Sequence, residues 1–95
     1  MDTGIRPEVI REINELAKKH DLNKVILFGS RARGDYRRIS DIDLAISGGN
    51  TAAFTIDIEE TSTLLAYDVV DLDKPVEEQL LESIRREGKE IYEKI

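Results

Sequence analysis

The chain has 95 residues, material for one small domain that buries about 60–65% of the surface its unfolded form exposes. A formal net charge of −6 repels polyanions and argues against direct nucleic-acid binding. The absence of cysteine excludes disulfide scaffolds and thiolate zinc sites, and one histidine excludes a histidine metal cluster. The opening MDTGIRPEV has no apolar stretch that could act as a signal peptide and nothing resembles a membrane span, so the expected location is the cytoplasm.

Taken in chain order, residues Pro7 to Lys19 carry Val9, Ile10, Ile13, Leu16 and Ala17 at helical spacing, with proline suited to the first turn and lysines to the last. Val25-Ile26-Leu27-Phe28 is a continuous apolar run broken by Gly29, the pattern of a short strand buried on both faces. Ser40 to Ile46 alternates, with Ile42, Leu44 and Ile46 on one face and Asp41, Asp43 and Ala45 on the other. Gly48-Gly49-Asn50 predicts a turn, Thr51 to about Thr63 a helix, and Tyr67 to Leu72 a third strand. Val76, Leu80, Leu81 and Ile84 define a last helix capped at Gly88, with a short strand over Glu90 to Glu93. No internal repeat or linker interrupts this order. The expectation is one α/β domain over residues 1–95, a small mixed sheet flanked by helices.

The first local signal is Gly29-Ser30-Arg31-Ala32-Arg33-Gly34 at a strand exit, where glycine lets backbone N–H groups approach an anion. It is not a P-loop, because Asp35-Tyr36 stands where Lys and Ser/Thr are required, and Arg31 stands where a dinucleotide fingerprint needs its second glycine. Arg31 and Arg33 suit phosphate contacts, since guanidinium binds phosphate in two-point fashion. Arg37 and Arg38 read as a solvated rim, His20 as a helix-end cation, and the three tyrosines as packing residues.

The second signal is Asp41 and Asp43. Residues two apart on a strand share a face with Cα atoms about 6.6 Å apart, so two carboxylates can converge on one spot. Their repulsion is relieved by a hard divalent cation with oxygen ligands, typically Mg²⁺ that also grips substrate phosphates. A pair of such ions about 3.5–4 Å apart clamps both oxygens of an in-line displacement. A third carboxylate is expected from a neighbouring strand, and Tyr67 to Leu72 offers Asp68 and Asp71 on opposite faces. Periodicity leaves that choice open, because Asp68 goes with Val70 and Leu72 while Asp71 goes with Tyr67 and Val69.

GSRARG followed by SDIDLAI resembles the active-site signature of the DNA polymerase beta-like nucleotidyltransferases, specifically the minimal nucleotidyltransferases encoded beside HEPN-domain proteins. The resemblance covers the glycine–serine turn, the paired aspartates, their separation, and the element order of nearly the whole chain. It implies that fold, an NTP substrate, triphosphate binding by Gly29 and Ser30, and Mg²⁺ held by Asp41, Asp43 and a third acid. That acid falls on Asp68, since the family's strand of the form x-D-L-V-x-L looks like Tyr67 to Leu72. It further implies an antitoxin that transfers AMP from ATP to a tyrosine of a HEPN ribonuclease partner. A rival reading is a binding module that neutralises such a partner by contact. A core this small also makes homo- or hetero-association an expectation.

Overall fold

The computed structural model describes residues 2–95. Its elements are α1 (Pro7–Lys19), β1 (Lys24–Phe28), α2 (Ser30–Arg33), β2 (Ile42–Ser47), α3 (Thr51–Asp57) with a 3-10 turn Ile58–Glu60, β3 (Tyr67–Asp71), α4 (Glu78–Glu87) and β4 (Lys89–Glu93). The strands form one mixed sheet in the order β3-β2-β1-β4, with β2 parallel to β3 and β1 antiparallel to both β2 and β4. The expected α/β class and element order are therefore those of the fold.

Helices cover both faces of the sheet. Val9, Ile13 and Ala17 of α1 pack with Val25 and Leu27 of β1, Ile42, Leu44 and Ile46 of β2, and Phe54 and Ile58 behind them. Most of these side chains are fully buried, so truncating one such as Leu44 to alanine costs about 2–5 kcal/mol. The alternate residues face the other way: Phe28 and Ala45 meet Ile84 of α4, joined by Ile26, Val70, Leu72 and Leu80. Pro7 opens α1 and Lys18 and Lys19 close it, each agreeing with the helix dipole. Among the described residues no helix is long and apolar enough to cross a membrane.

Three expected boundaries move. The second strand begins at Ile42 rather than Ser40, because sheet pairing starts where the Ile42 N–H donates to the Ala66 carbonyl at 2.9 Å. One residue ahead of Asp41, the Ser40 carbonyl is already claimed by Arg31. The helix expected to reach Thr63 ends at Asp57 and tightens into the 3-10 turn. Thr61 closes that turn, its Oγ1 donating to the Ile58 carbonyl at 3.0 Å, an alternative that threonine offers the backbone against further helix. The last helix starts at Glu78, after the extended residue Glu77.

Candidate active site

Gly29 ends β1 and stands before α2 with φ 74° and ψ −158°, a conformation that L side chains rarely adopt. The space beside it is also taken, since a Cβ built there would overlap Oδ2 of Asp43. The glycine at the strand exit thus serves two needs at once, the turn itself and the approach of a carboxylate. Ser30 opens α2, and its carbonyl accepts from the Gly34 N–H at 2.9 Å. The first N–H groups to bond back are those of Ala32 and Arg33, both to the Gly29 carbonyl.

Asp43 is the register partner of Phe28 on one side and of Asp68 on the other. Directly paired residues project to the same face of a sheet, so Asp43 and Asp68 stand side by side. They extend the row in which Ala45 pairs with Val70, the row covered by Ile84 and Leu80 of α4. The carboxylates therefore occupy the uncovered end of the α4 face. Asp41 lies just ahead of β2 and is exposed, as is Asp68.

Asp71 belongs elsewhere. It projects to the α1 and α3 face, where its Oδ2 accepts from Thr51 Oγ1 at 2.7 Å and its Oδ1 from the Asp73 N–H at 2.9 Å. Those bonds hold its carboxyl below the usual range, the Thr51 contact contributing most. Both faces of β3 are covered, Val69 by the α1 cluster and Val70 by the α4 cluster, which is why alternation could not separate the two aspartates.

Partial burial pushes the Asp43 carboxyl up from 3.8 to about 6, with the charges of Asp68 and then Asp41 adding to it. Arg33 and Arg31 pull it back by less. Asp43 thus feels the like charge of both neighbours, a repulsion that a hard cation relieves. Among the described residues, however, no three acidic or histidine side chains are gathered tightly enough to cage an ion unaided. The donor set is all carboxylate oxygen and partly open, which fits an ion whose remaining ligands are water and substrate phosphates.

The two arginines part company. Arg33 is exposed and reaches Glu87 of α4 through Nη1 at 2.9 Å and Asp35 through Nε at 3.2 Å, on the same side of the sheet as the aspartates. These carboxylates hold its guanidinium firmly charged, Asp35 contributing most. Arg31, expected at the phosphates, is 1% exposed. Its Nε and Nη2 donate to the Ser40 carbonyl at 3.0 and 2.9 Å, Nη1 to the Thr3 carbonyl at 2.9 Å, and Nη2 also to the carbonyls of Arg38 and Arg37 at 3.2 and 3.4 Å. Tyr36 closes over it, with the guanidinium carbon 4.8 Å from the ring centre. As placed, Arg31 faces backbone carbonyls rather than an open anion site.

Sequence reasoning missed Glu87 and the Thr3 carbonyl as members of this neighbourhood, and neither carries a local signal. It also placed His20 at the surface, whereas His20 Nε2 lies 2.7 Å from Asp57 Oδ2 and ties the end of α1 to α3. A groove of about 480 Å³ between α1 and the 3-10 turn is lined by Glu12, Leu16, Asp57 and Thr61 among others. It lies behind the sheet, away from the aspartates. The carboxylates of Asp43 and Asp68 and the strand-exit glycine instead meet on the open shelf at the end of the α4 face.

The family model of polymerase beta nucleotidyltransferases matches residues 11–95. The chain belongs to this family. A protein of Methanocaldococcus jannaschii described as a "putative protein adenylyltransferase" is 47% identical over 60 residues, 61% of this chain and 59% of that one. The match thus spans about three-fifths of that relative's length. Among solved structures, a toxin–antitoxin complex with AMP-PNP is 27% identical with a TM-score of 0.70, covering 90% of this chain and 73% of that one. The toxin–antitoxin MntA-HepT has a TM-score of 0.66 at 20% identity over 94% of this chain and 74% of that one, a likeness of fold. The polymerase beta nucleotidyltransferase fold is thus reached from sequence and from architecture alike.

Proposed function

We propose that the chain is a Mg²⁺-dependent nucleotidyltransferase that moves AMP from ATP to a hydroxyl of a protein, a tyrosine of a HEPN-domain partner, and so acts as an antitoxin. The observation that carries this reading is the register pair Asp43 and Asp68, beside Asp41 and against the Gly29-Ser30 turn. Family membership, the adenylyltransferase relative and the AMP-PNP-bound neighbour support the same chemistry.

In the reaction an acceptor hydroxyl attacks the α-phosphorus, the bond to the bridging oxygen breaks, and pyrophosphate leaves. Asp41, Asp43 and Asp68 would hold Mg²⁺, a pair of ions that would supply positive charge to the phosphates. Gly29 and Ser30 present backbone N–H and hydroxyl donors to the triphosphate at the start of α2. Arg33 adds charge from the α4 side, exchanging carboxylate partners for phosphate. Asp68, exposed and beside Asp43, takes the acceptor proton. Catalysis then rests on positioning and preorganised charge rather than on a covalent intermediate.

The test is transfer of radiolabel from α-³²P-ATP with Mg²⁺ to proteins co-purified with the chain, comparing wild type with Asp41→Ala/Asp43→Ala. Label on a partner that disappears in the double variant supports the transferase and identifies its acceptor. A stable complex with no label from any NTP favours the contact-only module.

A further inference from the structure

Arg31 is a buried cation with no carboxylate partner among the described residues. Its charge is met instead by four backbone carbonyls and one aromatic ring. Burying guanidinium is costly unless its donors are satisfied; here carbonyl dipoles do that work. Three of the four acceptors, Arg37, Arg38 and Ser40, lie in the connection that delivers the chain from α2 to β2. The fourth is Thr3, on the segment ahead of α1.

The strongest of these grips falls on Ser40, whose carbonyl takes two of the bonds. Ser40 immediately precedes Asp41, and Asp41 is outside the sheet, held by no ladder of its own. The Ser40 hydroxyl in turn accepts from the Arg37 N–H at 2.8 Å, which folds the connection onto itself above the guanidinium. Fixing the Ser40 carbonyl fixes the peptide plane that leads into Asp41. The nearest sheet anchor lies on its other side, at the Ile42 N–H. Asp41 is thus suspended between two fixed points, one of which is Arg31.

We propose that Arg31 is a positioning residue that acts through Asp41, setting where that carboxylate stands relative to Asp43, and that it does not itself bind the nucleotide. This rests on the metal-dependent reading above. Lysine cannot replace it, because one ammonium carries three donors on a single point and cannot span carbonyls from residues 3, 37, 38 and 40.

The experiment is Mn²⁺ titration, followed by electron paramagnetic resonance in the presence of ATP, on wild type, Arg31→Lys, Asp41→Asn and the double variant, each checked for folding by circular dichroism. Arg31→Lys is expected to weaken Mn²⁺ binding about tenfold, the range for loss of a residue that orients a metal ligand, and by less than about twofold once Asp41 is already asparagine. An equal loss in both backgrounds, or no loss in a folded Arg31→Lys, overturns the positioning role. Should Arg31→Lys fail to fold, Tyr36→Leu removes the ring over the guanidinium and is read through the same cycle. There a smaller loss that vanishes in Asp41→Asn supports the proposal, and one that persists overturns it. A wild-type chain that takes up no Mn²⁺ with ATP overturns the transferase reading itself, and this proposal with it.

Discussion

The Asp43 carboxylate occupies the space that a side chain on Gly29 would need. Turn and carboxylate, residues 29 and 43, are two halves of one packing decision made where β1 and β2 lie antiparallel. Gly29→Ala is therefore expected to cost about 1–3 kcal/mol from backbone conformation alone and to push Asp43 aside. A displacement of this kind lowers transfer about a hundredfold or more. Thermal denaturation and α-³²P-ATP labelling on the same preparation check both parts.

Asp68 and Asp71 should separate cleanly. Asp68→Asn, at an exposed position beside Asp43, is expected to reduce transfer about a hundredfold or more, the range for losing a positioned base, with little change in the melting temperature. Asp71→Asn weakens the bonds to Thr51 and Asp73. It should cost about 0.5–1.5 kcal/mol of stability while transfer persists. If Asp71→Asn were the inactive variant, the third carboxylate would have to be reassigned.

The raised pKa of Asp43, about 6 against 3.8 for the free group, gives a pH dependence with a definite sign. Because the folded value is the higher one, the contribution to stability is fully present below pH 3.8 and is lost as pH rises through 6. Metal-free protein should lose denaturation midpoint between pH 4 and 7 more steeply than Asp43→Asn does. Mn²⁺ must displace the same proton, so its affinity should fall as pH drops below 6, by at most about tenfold per pH unit. Parallel slopes in wild type and Asp43→Asn would remove Asp43 as the titrating group.

Arg33 bridges Asp35 and Glu87 at the surface, and exposed pairs of this kind contribute little to folding. Arg33→Ala is expected to raise the KM for ATP several-fold while leaving the melting temperature nearly unchanged. Glu87→Gln frees the guanidinium from one competitor and should lower KM. Steady-state kinetics at varied ATP distinguishes this from a purely structural pair, for which neither variant would move KM.

Much of the site was legible because it is local. The β1 run, the glycine at its exit and the alternation around Asp43 each need only a few neighbouring residues, and each appears where the sequence puts it. Asp68 was not decidable by period, because β3 is covered on both faces and either aspartate satisfies alternation. The burial of Arg31 was hidden for a different reason. Its acceptors are main-chain carbonyls, which leave no signature in side-chain identity, so an arginine that organises a loop reads the same as one that binds phosphate. The early end of α3 was likewise hidden, since no helix-breaking residue follows it and a threonine hydroxyl closes the 3-10 turn that replaces its last residues.

The parallel pairing of β2 with β3 gives the site an uneven folding history. Residues 29 to 43 are brought together by a single short loop closure, which is entropically cheap. Parallel strands cannot be joined by a tight turn, so Asp68 arrives only after the chain has passed through α3 and the 3-10 turn and returned along β2. The last carboxylate to arrive is also the one on an edge strand, and local opening begins at edges. If Asp68 serves as proposed, fraying of β3 silences the chemistry long before the rest of the sheet comes apart.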